Sequence, residues 1–326
     1  MRHVDPGRVT GLVEDATAAP SMHNAQPWRF RWLSKRHVLE LRADTARAMP
    51  HADPDNRALH LGCGAALFNL RVSAAHAGLE PVCRLLPDPA EGLLVATVRL
   101  DEPVVASAVL SALRPAIRRR HTSREPFTEQ EIPETVWREL REAARAEGAG
   151  LGVPDAWHTQ SILELVQDAE GRDSLEPANS EEMEGWIRTG PAASLSTDGV
   201  PEYAFGPFRH DGRAPVRDFA GRHRVADRPA ATFESAPRLV LLGTAEDGPA
   251  DWLRAGQAME RVLLAATSHG LATSLTSHAL ERPDLRWNVR DPLTAMGHVQ
   301  MVLRLGYGPG GVRSPRRPVG EVLDFA

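Results

Sequence analysis

The feature that most constrains this chain is a pair of similar amphipathic helical patterns, one in each half of the sequence. Aligning Gly78-Leu79 with Gly270-Leu271 brings matching landmarks of the two patterns opposite each other. The matched pairs are Leu61 with Leu253, Gly64 with Gly256, Ala66 with Ala258, Leu70 with Val262 and Ala74 with Ala266. Any two amphipathic helices can share apolar positions by chance, but chance explains the glycines less well. The pattern predicts two related α+β halves, split near residues 103–115.

Strand-like and helical runs around these helices extend the repeat. Strand-like runs follow the two helices at Leu94–Leu100 and Val299–Leu305. A shorter echo links the helical pattern after Asp5-Pro6 to the one after Ile132-Pro133. Further strands are predicted at Arg29–Leu33, Val38–Leu41 and Pro81–Leu86. We therefore expect a first half over residues 1–105 and a second half over residues 106–326.

Residues 175–236 lose the periodic pattern and are rich in proline, glycine, serine and charged residues. A long segment of this kind within a compact chain is usually functional, often a lid, unless it is disordered. Its aromatic residues favour a folded lid over a flexible linker. The aromatic residues are Trp186, Tyr203, Phe205 and Phe208.

Composition excludes several classes of protein. The 326 residues are 42% hydrophobic and 25% charged with a net charge of −5, which favours a globular protein without a nucleic-acid partner. No apolar run approaches the length of a membrane span, and the N-terminus lacks the apolar core of a signal peptide. Cys63 and Cys83 are too few for a disulfide framework. We expect a cytoplasmic protein.

The stretch from Ala19 to Trp28, APSMHNAQPW, forms a candidate binding loop between a helix and a strand. Two prolines bracket a hydroxyl, two carboxamides and several backbone donors, which suits a flat polar ligand. The same residues are also typical of an ordinary helix-to-strand turn, and the loop alone favours that interpretation.

A basic stretch beginning at Arg118 is the strongest charge cluster, and Arg120 and Arg124 within it flank two hydroxyl residues. Fork-shaped guanidinium donors suit a phosphate or a carboxylate. A basic run at a helix C-terminus also complements the helix dipole without any ligand. A second basic turn spans residues 313–318, where most such turns are merely solvated.

Other motifs are excluded by context. Residues 306–311 fit GxGxxG, but prolines follow where a dinucleotide fingerprint must open a helix. The sequence has no HExxH, no cysteine–histidine ligand spacing and no GxSxG, so neither a zinc site nor a hydrolase site is predicted. We predict no metal.

Together these pieces resemble the nitroreductase superfamily of FMN enzymes, and most closely its long-chain Acg-like branch, in which one chain carries two nitroreductase-like halves. The resemblance rests on the 19–28 loop, residues 119–124 and the Arg316-Arg317-Pro318 tail, which occur in the order found in the branch. It implies an α+β fold in which two tandem halves form an intramolecular pseudo-dimer with a lid-like insertion at 175–236. A monomer is then plausible, because the dimer interface is internal.

The resemblance also implies which residues contact the flavin. Those of the first half are Pro20, Ser21, Met22, His23, Asn24 and Gln26. Those of the second half are Arg120, Thr122, Arg124, Ser274, Leu275, Thr276, Ser277 and either Arg316 or Arg317. The short enzymes usually offer Pro-x-Glu-Gly where this chain has Leu275-Thr276-Ser277-His278, so the ring donors differ.

The repeat itself supports one site per chain. The first half begins after the point where its own arginine motif would stand, and the second half has EGAGL at 147–151 where a proline–serine–asparagine loop would be expected. Each half therefore lacks what the other supplies, and the second, pseudo-symmetric site should be empty.

The function implied is an FMN-dependent oxidoreductase that passes hydride from NAD(P)H through flavin N5 to a nitro-compound, quinone or other small acceptor. Because the hydride step requires no side-chain acid or base, we name no catalytic residue from the sequence. Two alternatives stay open: a flavin-binding or sequestering stress protein with little turnover, and an FMN-dependent tailoring dehydrogenase of a small metabolite or peptide.

Overall fold

The first part of the chain folds into two helices and four strands. A computed structural model describes residues 5–101, 107–221, 225, 228–291 and 296–326. The elements up to residue 101 are α1 (Pro6–Ala16), β1 (Trp28–Leu33), β2 (Val38–Ala43), α2 (Arg57–His76), β3 (Glu80–Leu85) and β4 (Leu94–Asp101). The predicted elements of this region are confirmed to within two residues at most ends. The boundary between residues 105 and 106 lies outside the described residues and stays a prediction.

The rest of the described chain mixes short and long elements. Before the second long helix they are α3 (Ala108–Ser111), α4 (Arg114–Ile117), α5 (Glu134–Arg145), β5 (Gly150–Gly152), α6 (Ala156–Leu175), α7 (Pro177–Glu184), β6 (Ile187–Arg188), α8 (Pro191–Leu195), β7 (Val200–Pro201), β8 (Phe208–Asp211), β9 (Ala230–Thr232) and β10 (Leu239–Thr244). After them come α9 (Pro249–Ser268), β11 (Ala272–Thr276), α10 (Pro283–Asn288), β12 (His298–Gly306), α11 (Val319–Val322) and β13 (Leu323–Phe325). Short 3-10 turns occur at Met22–Asn24, Ser34–Arg36, Thr45–Arg47, Glu202–Ala204 and His278–Leu280.

Helices α2 and α9 end in the same way. Gly78 and Gly270, which follow them, have φ values of 72° and 75°, a left-handed conformation that only glycine adopts without strain. The next residue in each case, Leu79 or Leu271, donates its N–H back to a carbonyl in the last helical turn at 2.9 and 3.0 Å. These bonds satisfy carbonyls that the helix leaves unpaired. The two ends that anchored the sequence alignment therefore have matching conformations.

The α2–α9 pair crosses at Gly64 and Gly256. A Cβ atom on Gly64 would collide with the carbonyl oxygen of Leu253 and lie 3.0 Å from the Gly256 Cα. A Cβ on Gly256 would collide with the carbonyl oxygen of Leu61 and lie 2.9 Å from the Gly64 Cα. Because both contacts are with backbone, no side-chain movement can relieve them. The helices approach this closely only because both positions are glycine.

A sheet packs beside each long helix. Among the described residues, the first sheet has the strand order β13-β1-β2-β4-β3, in which β13 pairs with β1 in parallel and the other neighbours are antiparallel. The second has the order β11-β12-β10-β5 and is antiparallel. Helix α1 packs on α2 as α5 packs on α9. One apolar core joins both long helices to both sheets.

Residues 175–236 contain more regular structure than the sequence indicates. Within their described part, helices α7 and α8 and two small parallel ladders, β6–β7 and β8–β9, replace the expected irregular chain. A separate apolar cluster of Val200, Phe205, Phe219 and Ala220 holds this segment together. Strands of two to four residues carry too few positions for a periodic pattern, so the sequence gives no signal for them.

Candidate functional site

The 19–28 loop adopts an unusual backbone. His23, Asn24 and Gln26 have φ values of 46°, 56° and 55°, a region that residues other than glycine seldom occupy. Ser21 Oγ accepts a hydrogen bond from the Gln26 N–H at 2.8 Å, which closes the turn. Asn24 Nδ2 donates to the Gly199 and Pro315 carbonyls at 2.9 and 3.0 Å. Contacts to distant segments thus maintain a strained conformation of a kind that clusters at functional sites.

Arg120 lies buried beside this loop, and two of its guanidinium nitrogens make no hydrogen bond. Its Nη2 donates to the Ala18 carbonyl at 3.1 Å, and its Nε lies 3.4 Å from Glu260 Oε1. Neither Nε nor Nη1 makes a hydrogen bond within the described structure. A buried guanidinium with unpaired donors is costly. Its environment therefore fits an added anionic acceptor.

Arg316 lies close to Arg120, and its guanidinium makes more hydrogen bonds than that of Arg120. Its guanidinium donates to the Thr17 and Ala18 carbonyls at 2.8 and 3.0 Å and to Asn24 Oδ1 at 2.9 Å. Burial, followed by the charge of Arg120, lowers the pKa of Arg316 to about 9. The two arginines repel each other unless a negative charge joins them.

Glu260 compensates for this positive charge only in part. Burial raises the pKa of its carboxyl to about 7, against the opposing effect of Arg120. Near pH 7 the carboxyl is therefore only partly ionised, and two buried arginines face at most one negative charge. The excess positive charge suits a phosphate or carboxylate.

The arginine stretch is attached to β11, which lies opposite the 19–28 loop. Ser123 N–H donates to the Thr273 carbonyl at 2.8 Å, and Thr122 forms a bridge with Thr273. A Cβ on Gly311 would collide with the Thr122 carbonyl, so the glycine-rich turn after β12 also packs here. No helix follows that turn directly, which agrees with the rejection of a dinucleotide fingerprint.

These segments enclose an inner cavity of about 110 Å³. Twelve of the fifteen predicted site residues line it: Pro20, Ser21, Met22, His23, Asn24, Arg120, Thr122, Arg124, Ser274, Leu275, Ser277 and Arg316. They come from the 19–28 loop, the arginine stretch, β11 and the residue after it, and the C-terminal tail. The structure therefore brings together most of what the resemblance implied.

Three predicted residues lie elsewhere. The Gln26 carboxamide donates to the Thr197 carbonyl and accepts from the Arg317 N–H, both at 2.9 Å. Thr276 Oγ1 donates to the Pro215 carbonyl at 2.9 Å. Arg317 points to Asp44, with 3.3 Å between Nη1 and Oδ2. Of the two candidate tail arginines, Arg316 is the one that lines the inner cavity.

Described residues of the 175–236 segment cover the other side of the inner cavity. Arg124 Nη1 donates to the Ala204 carbonyl at 2.8 Å, and its guanidinium carbon lies 4.8 Å from the centre of the Phe219 ring. Phe219 also meets His23 edge to face, with 5.5 Å between ring centres. Burial lowers the pKa of Arg124 to about 10. This segment thus fills space directly over the predicted binding residues.

An outer cavity of about 510 Å³ adjoins the inner one. The two share the lining residues His23, Ala52, Val216, Arg217, His278 and Glu281. Ligand pockets for small molecules usually measure about 300–1,000 Å³, so the inner cavity alone is too small for a cofactor-sized ligand. Such a ligand requires the side chains between the two cavities to move.

Sequence reasoning missed Glu260 and His278. Glu260 interrupts the apolar run of α9, and the repeat places it opposite Phe68 of α2, which is a signal for an unusual buried carboxylate. His278 ends the stretch that departs from the short enzymes and becomes buried after β11. Nothing in its local sequence indicates that burial.

The described residues contain no cluster of three or more histidine, cysteine, aspartate or glutamate side chains able to hold a metal ion. None of the helices in this part of the chain is long and apolar enough to cross a membrane.

Comparisons with known proteins assign the family. The model of the nitroreductase family matches residues 117–307, more than half of the chain. The putative NAD(P)H nitroreductase Rv3131 of Mycobacterium tuberculosis is 31% identical over 98% of this chain and 92% of its own length. The putative NAD(P)H nitroreductase acg of the same organism is 29% identical over 97% and 95%. A putative nitroreductase structure from Anabaena variabilis aligns with 93% of this chain and 88% of its own, at 12% identity and a TM-score of 0.47. On the family match and the full-length relatives, the chain belongs to the nitroreductase family of oxidoreductases.

Proposed function

We propose that this protein binds FMN in the inner cavity and transfers hydride from NAD(P)H to a small acceptor such as a nitro-compound or a quinone. The observation that carries the proposal is the buried Arg120 guanidinium beside Arg316, because its Nε and Nη1 make no hydrogen bond and only Nε lies near an anion, Glu260 at 3.4 Å. An anionic phosphate satisfies both features at once. Bound FMN would supply a ring that accepts and returns hydride.

The protein's own residues bind and orient the cofactor. Arg120 and Arg316 would hold the phosphate, and Ser274, Leu275 and Ser277 would lie along one edge of the ring, with the 19–28 loop on the other side. Arg124 would add positive charge near the ring if its guanidinium exchanged the Ala204 carbonyl for the ring as its partner. The donor set fits the group, and the small inner cavity means that side chains shared with the outer cavity, such as Val216, must yield space.

We further propose that the chain is an intramolecular pseudo-dimer of residues 1–105 and 106–326. The reciprocal contacts of Gly64 and Gly256 support it, because an approximate two-fold axis between α2 and α9 would relate them. The matching packing of α1 on α2 and of α5 on α9 supports it too. Both parts of the site then lie within one chain, so a monomer suffices.

The pseudo-symmetric position explains why one site per chain is expected. The repeat places Phe68 where the proposed FMN site has Glu260, and Arg261 where that site has Asn69. Glu147 is buried there between Arg71 and Arg261, with 2.6 Å between Glu147 Oε1 and Arg261 Nη1. The guanidinium of Arg71 also lies over the Phe68 ring at 5.4 Å. Both Glu147 carboxylate oxygens accept from these arginines, whose side chains are 20% and 17% exposed, so this position lacks buried guanidinium nitrogens without hydrogen bonds of the kind found at Arg120.

The cover over the inner cavity favours a second candidate function, a flavin-sequestering protein with little turnover. If the protein sequesters flavin, residues 175–236 act as a lid. The contact of Phe219 with Arg124 and His23 then keeps NAD(P)H and hydride acceptors away from the flavin. The lid and the oxidoreductase proposals share the FMN site and differ only in access.

The test is to reconstitute the purified protein with FMN and add NADH or NADPH anaerobically. The oxidoreductase proposal predicts bound flavin that loses its visible absorbance and regains it when benzoquinone is added. Bound flavin that neither nucleotide reduces would refute turnover and support sequestration. Failure to bind FMN would refute both versions.

A further inference from the structure

Two buried histidines form part of the wall between the inner and outer cavities. His23 is 7% exposed and His278 is 2% exposed, and both line both cavities. None of their four ring nitrogens makes a hydrogen bond within the described structure. Since a neutral imidazole carries one donor and one acceptor, each ring has unused capacity. A ligand in the cavities is the available partner.

Both rings are neutral at physiological pH. Burial, followed by the charge of Arg217, holds the pKa of each histidine well below its usual range. Arg124 adds to this effect on His23, and Arg209 and the neighbouring His23 add to it on His278. A neutral imidazole donates at one nitrogen and accepts at the other, which is the property that proton relays use.

Glu170 connects one of these rings to the outer cavity. It lies on α6, which packs against the 3-10 turn that contains His278. Its Oε1 lies 3.4 Å from His278 Nε2, and its side chain is 34% exposed. Burial raises the pKa of Glu170, against the opposing effects of Arg209 and Arg217. The carboxyl therefore combines access to water with an increased tendency to hold a proton.

Other charged groups face this pair from the surrounding elements. Near Glu170 these are Asp173, Asp218, Arg209 and Arg217. Arg217 pairs with Glu281, which also accepts from Ser277 Oγ at 2.7 Å. The charges of Arg217 and Glu281 compensate each other. His23 and His278 both line the two cavities with unused hydrogen-bonding capacity, but of the two only His278 has a carboxyl group beside it in the described structure, that of Glu170.

We propose that Glu170 and His278 deliver a proton from the outer cavity to the acceptor during its reduction. The proposal rests on the proposed oxidoreductase function. Two-electron reduction of a carbonyl, quinone or nitro group adds one hydride and one proton, and the nicotinamide supplies only the hydride. Acceptor reduction in a closed site therefore needs a separate proton source.

The proton transfer balances without another reactant. The Glu170 carboxyl gives its proton to His278 Nε2 as the Nδ1 proton moves to the acceptor oxygen. His278 stays neutral as its other tautomer, and the Glu170 carboxylate takes a proton from water in the outer cavity. The first tautomer is restored when Nε2 releases its proton to water and Nδ1 takes one from water. His278 acts on the acceptor directly, and Glu170 acts through His278.

The first experiment separates proton transfer from electron transfer. Protein reduced by NAD(P)H is mixed in a stopped-flow instrument with benzoquinone, which needs a proton, or with ferricyanide, which takes electrons only. Glu170→Gln should slow reoxidation by benzoquinone about 100-fold and leave the ferricyanide rate unchanged. Glu184→Gln is the matched control, because it removes an exposed carboxylate from the lining of the outer cavity. Equal rates with Glu170→Gln and Glu184→Gln, or equal slowing with both oxidants, would overturn the proposal.

A second measurement needs no turnover. Imidazole ¹⁵N spectra should show His278 as a neutral ring whose Nε2 resonance shifts in Glu170→Gln and not in Glu184→Gln. A protonated ring at pH 7, or no response to Glu170→Gln, would contradict the relay. If NAD(P)H fails to reduce the protein, the proposed function fails, whereas the spectra still decide whether the Glu170–His278 contact exists in solution.

Discussion

Replacing Arg120 with alanine tests the anion site most directly. The substitution removes two guanidinium nitrogens that make no hydrogen bond, from a side chain that lines the inner cavity, along with one bond to the Ala18 carbonyl. It also leaves Glu260 without its nearest cation. Because burial already raises the pKa of Glu260 to about 7, that carboxyl can take up a proton and the fold can survive.

The magnitude follows from the bonds that are lost. A hydrogen bond to a charged group contributes about 1.5–3 kcal/mol. The loss of one to two such bonds to a phosphate is partly offset, because Arg120→Ala also removes the cost of a buried, under-paired cation. We expect FMN binding to weaken by about 2–3 kcal/mol, or about 30- to 150-fold. Arg120→Lys should fall between the two, because an ammonium keeps the charge and loses the fork.

The assay is a titration of the apoprotein with FMN, followed by quenching of flavin fluorescence. Arg119→Ala is the matched control, since Arg119 is exposed and the described hydrogen bond of its side chain is to the Pro115 carbonyl at 3.3 Å. Riboflavin, which lacks the phosphate, should bind wild type and Arg120→Ala with similar affinity. Equal FMN affinity of Arg119→Ala and Arg120→Ala would remove Arg120 from the site and refute the reasoning.

Three further changes have defined outcomes. Gly256→Ala should destabilise the protein by about 3 kcal/mol in urea unfolding, because the new Cβ would meet backbone atoms of α2. The control Gly171→Ala, where a new Cβ would have no atom within 4 Å, should stabilise α6 by about 1 kcal/mol, and equal effects of the two substitutions would contradict the close helix crossing. Phe219→Ala should speed FMN association about tenfold, because it removes the ring that contacts Arg124. Phe208→Ala, at an exposed residue of the outer cavity, should leave the association rate unchanged, and identical rates for the two variants would show that Phe219 does not limit FMN entry. Glu260→Gln should bind FMN more tightly than wild type above pH 7, where the wild-type carboxylate is ionised, and with the same affinity as wild type near pH 5. If the ratio of the two FMN affinities stayed constant across this pH range, the group that titrates would not be Glu260.

The sequence predicts the repeated parts of this fold well, because the long helices bury whole faces and end at glycines with defined backbone requirements. It predicts less well which way a loop side chain points. Gln26 and Arg317 stand in the expected motifs, yet they turn toward Thr197 and Asp44, partners that only the tertiary fold brings close. Glu260 was missed because a single carboxylate within an apolar face is not by itself a site. Its meaning depends on Arg120, which lies far away in sequence.

The strand β13 has a consequence for biosynthesis. Phe30 and Trp32 of β1 pair with Leu323 and Phe325, so one edge of the first sheet is completed by residues translated after almost all of the described chain. Until then a nascent chain exposes the unpaired edge of β1, a template for wrong pairing with other chains. The strand that protects this edge begins seven positions after Arg316, which lines the inner cavity, with only α11 between them. Protection of the first-made sheet from aggregation and completion of the binding site therefore occur in the same late step of synthesis.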